Sequence, residues 1–139
     1  MSYAIDDLSP GMSANFVKTV TERDIALFGE VSGDTNPVHF DETFASATPF
    51  KGRIAHGVLT ASYISTVLGM QMPGPGTIFL RLDIRFKAPV RIGDTVTTTC
   101  TVREILAERR RVVFGCVCTV GDTVVLEGDA TVMPPSRKA

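Results

Sequence analysis

Val58-Leu59-Thr60-Ala61-Ser62-Tyr63-Ile64-Ser65-Thr66-Val67-Leu68 is the longest apolar helical pattern in the chain, and the rest of the fold has to be arranged around it. Leu, Ala and Ile recur at helical spacing with only small hydroxyl residues between them. A helix built from this run is apolar around much of its circumference and has to be buried. His56-Gly57 leads into it, Gly69 predicts its end, and Met70 to Gly76, with Pro73, Gly74 and Pro75, predicts the turn that reverses the chain.

Beyond that turn the period changes from helical to alternating. Leu80, Leu82, Ile84 and Phe86 share one strand face, opposed by Arg81, Asp83 and Arg85, and Val96, Thr98, Cys100 and Val102 lie along the next strand. Segments 109–120 and 123–133 predict two more strands, joined by a Gly121-Asp122 hairpin, and the charged residues between Arg103 and Arg111 read as strand ends around a solvated turn. On the N-terminal side, residues 12–20 predict a strand. Thr21-Glu22-Arg23-Asp24 then predicts a helix N-cap with an acidic first turn, an apolar stripe of Ile25, Phe28 and Val31, and closure at Gly33. A short helical turn is expected at 41–46. The sum is an α+β single domain over 1–139: an antiparallel sheet of about five strands with one long helix against its concave side.

The whole chain is consistent with this. Its 139 residues suffice for one core, and a net charge of -1 with 21% charged residues offers no broad electrostatic footprint for nucleic acid or an anionic membrane. Cys100, Cys116 and Cys118 make an odd count and read as buried thiols in a reducing compartment, hence a cytoplasmic location. The spacing of Cys116 and Cys118 is wrong for a pair of zinc ligands on a turn, and no metal site is expected. Residues 1–10 hold no apolar run resembling a signal peptide, and no window approaches a membrane span.

Chemistry concentrates at the only two histidines. Asp34-Thr35-Asn36-Pro37-Val38-His39 follows the first helix, and Pro37 prevents its regular continuation. A turn shaped by an Asn36 side-chain to backbone bond can bring Asp34 and His39 onto one water, as a general acid/base pair. Gly57 at the start of the buried helix offers an N–H for an oxygen that gains negative charge. Simpler roles stand beside these: Asp34 as a turn former, His39 as a structural histidine, Gly57 as a tight-turn residue, Ser62 bonded back to its own helix. No Gly-x-Ser-x-Gly elbow and no phosphate-binding glycine motif is present.

Segments 28–45, 53–62 and 86–94 together resemble the hydratase signature of the MaoC-like (R)-specific enoyl-CoA hydratases, over most of the chain. The resemblance implies a hotdog domain, usually dimeric, that reversibly hydrates a trans-2-enoyl-CoA to an (R)-3-hydroxyacyl-CoA. It implies Asp34 and His39 as the catalytic pair, the Gly57 amide as the donor to the thioester oxygen, and Asn36 and Ser62 as supporting residues. No metal or redox cofactor is implied, since coenzyme A enters as part of the substrate. Met70 and Met72 are candidates to line the acyl tunnel, expected between the first helix, the long helix and the 70–75 bend; core packing is their other role. Lys51, Arg53, Arg81, Arg85 and Lys87 are candidates to meet the coenzyme A phosphates. A hotdog thioesterase and a non-enzymatic acyl-CoA binding module are the alternative functions.

Overall fold

The computed structural model describes residues 1–137. After a 3-10 turn at Ile5–Asp7 come strand β1 (Ser13–Thr19), helix α1 (Glu22–Ser32), two short helices α2 (Pro37–Phe40) and α3 (Glu42–Ser46), and the long helix α4 (Gly57–Met70). Strands β2 (Ile78–Phe86), β3 (Thr95–Leu106), β4 (Arg111–Val120) and β5 (Thr123–Met133) follow. They form one antiparallel sheet in the order β1-β3-β4-β5-β2. This is the hotdog arrangement, with α4 as the filling and the sheet wrapped around it.

The expected alternation sets the core. On β3, Val96, Thr98, Cys100 and Val102 are buried, and β4 contributes Val112, Phe114, Cys116 and Cys118 on the same side. Against them α4 places Ala61, Ile64, Val67 and Leu68. Burying the large apolar side chains in this layer stabilises the fold by roughly 1.5–3 kcal/mol each. The three cysteines are free and buried. The one hydroxyl in the β3 row, Thr98 Oγ1, meets Cys118 Sγ at 3.2 Å and so is not left unpaired.

Local signals placed the elements around the site. Thr21 caps α1 through a reciprocal capping box with Asp24, and Gly33 closes it in the left-handed conformation, φ 78°. Of the expected stripe, Ile25 is buried and Phe28 packs half-buried against the core, but Val31 is 82% exposed, and Gly29 joins the buried face. The reason is a close approach: a Cβ on Gly29 would stand 2.6 Å from the Phe40 ring, so the absent side chain is what lets α2 dock on α1. Gly69 does not end α4 as expected. The helix runs to Met70, and the Gln71 and Met72 amides bond back to the Val67 carbonyl while Gly74 N–H reaches Leu68 O at 2.9 Å. Gly69 itself faces open space, so nothing there forces a stop.

The sheet ends in an unusual edge. Eight of the nine residues of β2 are exposed, the exception, Ile84, being partly buried, and the exposed ones include Leu80, Leu82 and Phe86. A long apolar edge strand presents unpaired backbone groups and is a template for pairing with another chain. Among the described residues no helix is long and apolar enough to cross a membrane.

Candidate active site

The segment between α1 and α4 is irregular because its residues satisfy one another's backbone rather than a helix. Ser32 Oγ accepts the Asp34 N–H, the Asp34 carboxylate accepts the Asn36 N–H at 3.2 Å, and Asn36 Oδ1 accepts the Val38 N–H at 3.1 Å. Asn36 is therefore the N-cap of α2, and Pro37 occupies the first helical position, where its missing N–H costs nothing. Pro37, expected to interrupt a helix, instead starts α2, with four residues between it and the end of α1 at Ser32.

This single turn delivers His39 to the interior, 7% exposed. Its Nδ1 lies 2.8 Å from the Ile54 carbonyl. A carbonyl only accepts, so Nδ1 carries the hydrogen, and in the neutral ring the lone pair is on Nε2. Ile54 is held for this task by its own N–H to the Val38 carbonyl, and the next amide, Ala55, bonds to Val90 at 2.7 Å. Arg53, bonded through Nε to the His39 carbonyl at 2.7 Å and through its other end to Glu22 at 2.8 Å, ties α2 to the start of α1.

His56 sits directly beneath. Its ring stacks on that of His39, centroids 3.9 Å apart and planes 31° from parallel, with Phe28 at 4.8 Å and Phe40 at 5.7 Å completing the aromatic box. His56 Nε2 donates to the main-chain carbonyl of Asp34 at 2.9 Å, which leaves Nδ1 as the acceptor in the neutral ring, buried and without a hydrogen-bond partner among the described residues. Asp34 is thus held at its N–H, its carbonyl and its carboxylate, while the side chain stays exposed at the mouth of the site. His39 is held below the ordinary imidazole range, chiefly by burial and further by the neighbouring His56; the Ile54 bond and the Asp34 charge act in the opposite sense.

The Asp34 carboxylate and a nitrogen of each histidine lie within 4.8 Å of one another. A metal ion needs lone pairs that converge on one point. Here one nitrogen of each ring is committed as a donor to a carbonyl, which leaves each neutral ring a single nitrogen with a lone pair. The arrangement suits a water held between the carboxylate and His39 Nε2.

Gly57 is the first residue of α4, so its N–H is one of the helix-terminal donors without an intrahelical acceptor. It lines an apolar cavity of about 240 Å³ together with Phe86, Val125 and Leu126. A Cβ on Gly57 would come within 2.8 Å of the Phe86 ring, so only glycine leaves the amide accessible beside it.

The remaining sequence candidates fall elsewhere. The Ser62 hydroxyl turns back to the Leu59 carbonyl within its own helix. Met72 is buried in the core and Met70 is 68% exposed at the end of α4, so the 70–75 bend lines neither the cavity at Gly57 nor a second one, about 560 Å³, between α1 and α4. Arg81 and Arg85 alternate away from Phe86 onto the outer face of the sheet, where Arg81 approaches Asp83 at 4.0 Å, and Lys87 pairs with Glu127 at 3.8 Å. Lys51 is exposed at a left-handed turn position, φ 61°. The residue that sequence reasoning left outside the site is His56: the signal was its place before Gly57, but its bond to the Asp34 carbonyl spans 22 positions and is purely tertiary.

Residues 8–127 match the family model described as MaoC like domain. The chain belongs to the MaoC-like (R)-specific enoyl-CoA hydratase family. It is 53% identical over 132 residues to an (R)-specific enoyl-CoA hydratase of Rhodospirillum rubrum, covering 95% of this chain and 92% of that one. A 3-hydroxybutyryl-CoA dehydratase of Methylorubrum extorquens is 46% identical over 96% of this chain and 85% of its own length. Among solved structures, the unliganded R-hydratase of Pseudomonas aeruginosa superposes with a TM-score of 0.91 at 38% identity, covering 98% of this MaoC-like chain and 88% of the other. An (R)-hydratase from Aeromonas caviae gives 0.88 at 36% identity, covering 92% and 98%.

Proposed function

We propose that this MaoC-like protein adds water reversibly to a short- to medium-chain trans-2-enoyl-CoA, giving an (R)-3-hydroxyacyl-CoA. The observation that carries the reading is the held pair: an exposed carboxylate, on a residue held at its N–H, its carbonyl and its side chain, beside a buried histidine whose neutral form bears its lone pair on Nε2. The Asp34 carboxylate orients the water and steadies the imidazolium that forms. His39 Nε2 takes one water proton as the oxygen bonds to C3, and the same N–H then protonates C2. The Gly57 amide, at the positive end of α4, steadies the charge that develops on the thioester oxygen meanwhile. Because one nitrogen both takes and returns the proton, hydrogen and hydroxyl join from the same side.

His39 suits this exchange because its pKa, held below the ordinary range, keeps it neutral at pH 7. The substrate class is supported by the relatives from Rhodospirillum rubrum, an (R)-specific enoyl-CoA hydratase, and Methylorubrum extorquens, a 3-hydroxybutyryl-CoA dehydratase. Incubation with crotonyl-CoA tests the reading: loss of the conjugated enoyl absorbance with no free thiol, and a product of (R) configuration, is expected. Release of thiol without hydration would instead make the protein a thioesterase.

The working unit in this proposal is a homodimer joined along β2, whose apolar, unpaired edge a second copy covers. Leu82→Glu should turn a dimer into a monomer at micromolar concentration by sedimentation; a wild-type chain that sediments as a monomer would contradict the dimer. The three buried free thiols favour a reducing, cytoplasmic setting.

A further inference from the structure

Helix α2 is four residues long, too short to persist on its own, so the place of His39 depends on what holds the turn from outside. Residues 53 and 54 do this. The Val38 carbonyl accepts the Ile54 N–H at 3.3 Å, the His39 carbonyl accepts Arg53 Nε–H at 2.7 Å, and the His39 ring gives Nδ1–H to the Ile54 carbonyl at 2.8 Å. Two of these bonds use the Ile54 main chain. The third is made by a side chain and is assisted by a full charge. The grip is anchored from behind: the Arg53 N–H meets Glu42 Oε2 at 3.3 Å, and Arg91 donates to the carbonyls of both Arg53 and Phe50. The main chain of 50–55 is therefore held whatever side chain residue 53 carries. The Arg53 side chain itself is turned inward, 17% exposed, with its far end on Glu22. A guanidinium committed in this way serves the site from within, and not as the coenzyme A phosphate contact its charge suggested.

We propose that Arg53 is a positioning residue for the hydration: through the His39 carbonyl it holds α2 where the ring gives Nδ1–H to Ile54 and keeps the Nε2 lone pair for the water. The inference rests on the hydratase reading for its effect on rate, and on the grip alone for its effect on the ring. Arg53 acts through the main chain of His39. Without the Nε–H, a part-buried carbonyl is left unpaired, which is unfavourable. The turn then shifts toward water, the bond from Nδ1 to Ile54 lengthens, and a ring with no fixed acceptor at Nδ1 takes either tautomer. In the other tautomer Nε2 bears the hydrogen and cannot take a proton from water. Lysine replaces the planar fork only in part, since one ammonium cannot reproduce donors held in a plane toward both the carbonyl and Glu22.

The test joins kcat and KM for crotonyl-CoA to nuclear magnetic resonance of the protein labelled with nitrogen-15 at histidine, recorded at a pH above both imidazole pKa values. Repeating the spectrum on His56→Phe tells the two rings apart. The wild-type His39 should carry its hydrogen on Nδ1. Arg53→Met should lower kcat about tenfold, the worth of one hydrogen bond, with KM within about twofold of wild type, and an Nε2–H form should appear at His39. Arg53→Lys should recover part of the rate. Glu22→Gln should stay within about twofold of wild type, because that carboxylate is 63% exposed and a solvated partner adds little. An unchanged kcat in Arg53→Met would overturn the proposal. So would a lowered kcat with His39 still wholly in the Nδ1–H form, which would make Arg53 merely structural. If the wild type does not hydrate crotonyl-CoA, the hydratase reading falls, while the ring spectrum still decides whether Arg53 sets the tautomer. Should Arg53→Met not fold, Arg53→Lys decides in its place: a partial loss of rate with some Nε2–H form supports the proposal, and an unchanged rate and tautomer overturns it.

Discussion

His39 and His56 are stacked rings in one aromatic box, yet they occupy it in opposite ways. His39 arrives on a single helical turn within reach of the Asp34 carboxylate, gives Nδ1–H to a carbonyl and, when neutral, keeps its lone pair on Nε2. His56 arrives at the head of a buried helix, gives Nε2–H to the Asp34 main chain and keeps a lone pair sealed from solvent. The comparison teaches that the neighbour each nitrogen is given, more than burial or residue type, separates a proton carrier from a positioning residue.

The largest effect should come from breaking the reactive member. His39→Ala or Asp34→Asn should lower kcat/KM for crotonyl-CoA by about 10²–10⁴-fold, the range for a positioned acid/base group. Far-ultraviolet circular dichroism should remain that of the wild type. A smaller loss from His39→Ala than from a change at His56 would reverse the roles assigned to the two rings.

Replacing the supporting member should be milder. His56→Phe keeps a flat ring under His39 but removes the donor to Asp34, and kcat should fall about tenfold, the worth of one hydrogen bond, while KM stays close to wild type. Because His56 also helps hold the His39 pKa down, the acid limb of the kcat profile should move to higher pH in this variant. A merely structural role would lower the melting temperature without moving that limb.

How far these roles could be read from the sequence depends on the distance each signal spans. The Thr21 cap and the Gly33 stop are local and predict α1, whereas Asn36-Pro37 predicts only a turn, and the helical turn α2 that starts at Pro37 is a finding of the structure. Alternation along β3 named its buried row correctly for the same reason. Gly69 misled because a glycine ends a helix only when the following residues turn, and here Gln71 and Met72 still bond to Val67. Val31 stands outside the buried face because α1 meets α2 through Gly29, which helical spacing does not reveal. The tautomers of both histidines depend on Ile54 and Asp34 carbonyls 15 and 22 positions away, beyond any sequence pattern. The outer-face positions of Arg81 and Arg85 followed from the alternation itself, yet their charge had drawn them into the candidate site.

The smallest expected effect is on stability against pH. Burial holds the His39 pKa below 6.5, so as pH falls below 6.5 the unfolded chain takes up a proton that the folded chain resists. The contribution of this residue is therefore present above pH 6.5 and is lost as pH falls through the folded-state value. Between pH 7.5 and 5.5 the melting temperature of the wild type should fall more than that of His39→Gln, which has nothing to protonate. An equal fall in both would place the acid sensitivity elsewhere.

The central claim, that one nitrogen of His39 both takes the water proton and returns it to C2, is tested most directly by hydrating crotonyl-CoA in deuterium oxide and reading the relative configuration at C2 and C3 by nuclear magnetic resonance. The account predicts deuterium at C2 on the same face as the new hydroxyl at C3. Deuterium on the opposite face would require two groups on two sides of the substrate and would contradict it.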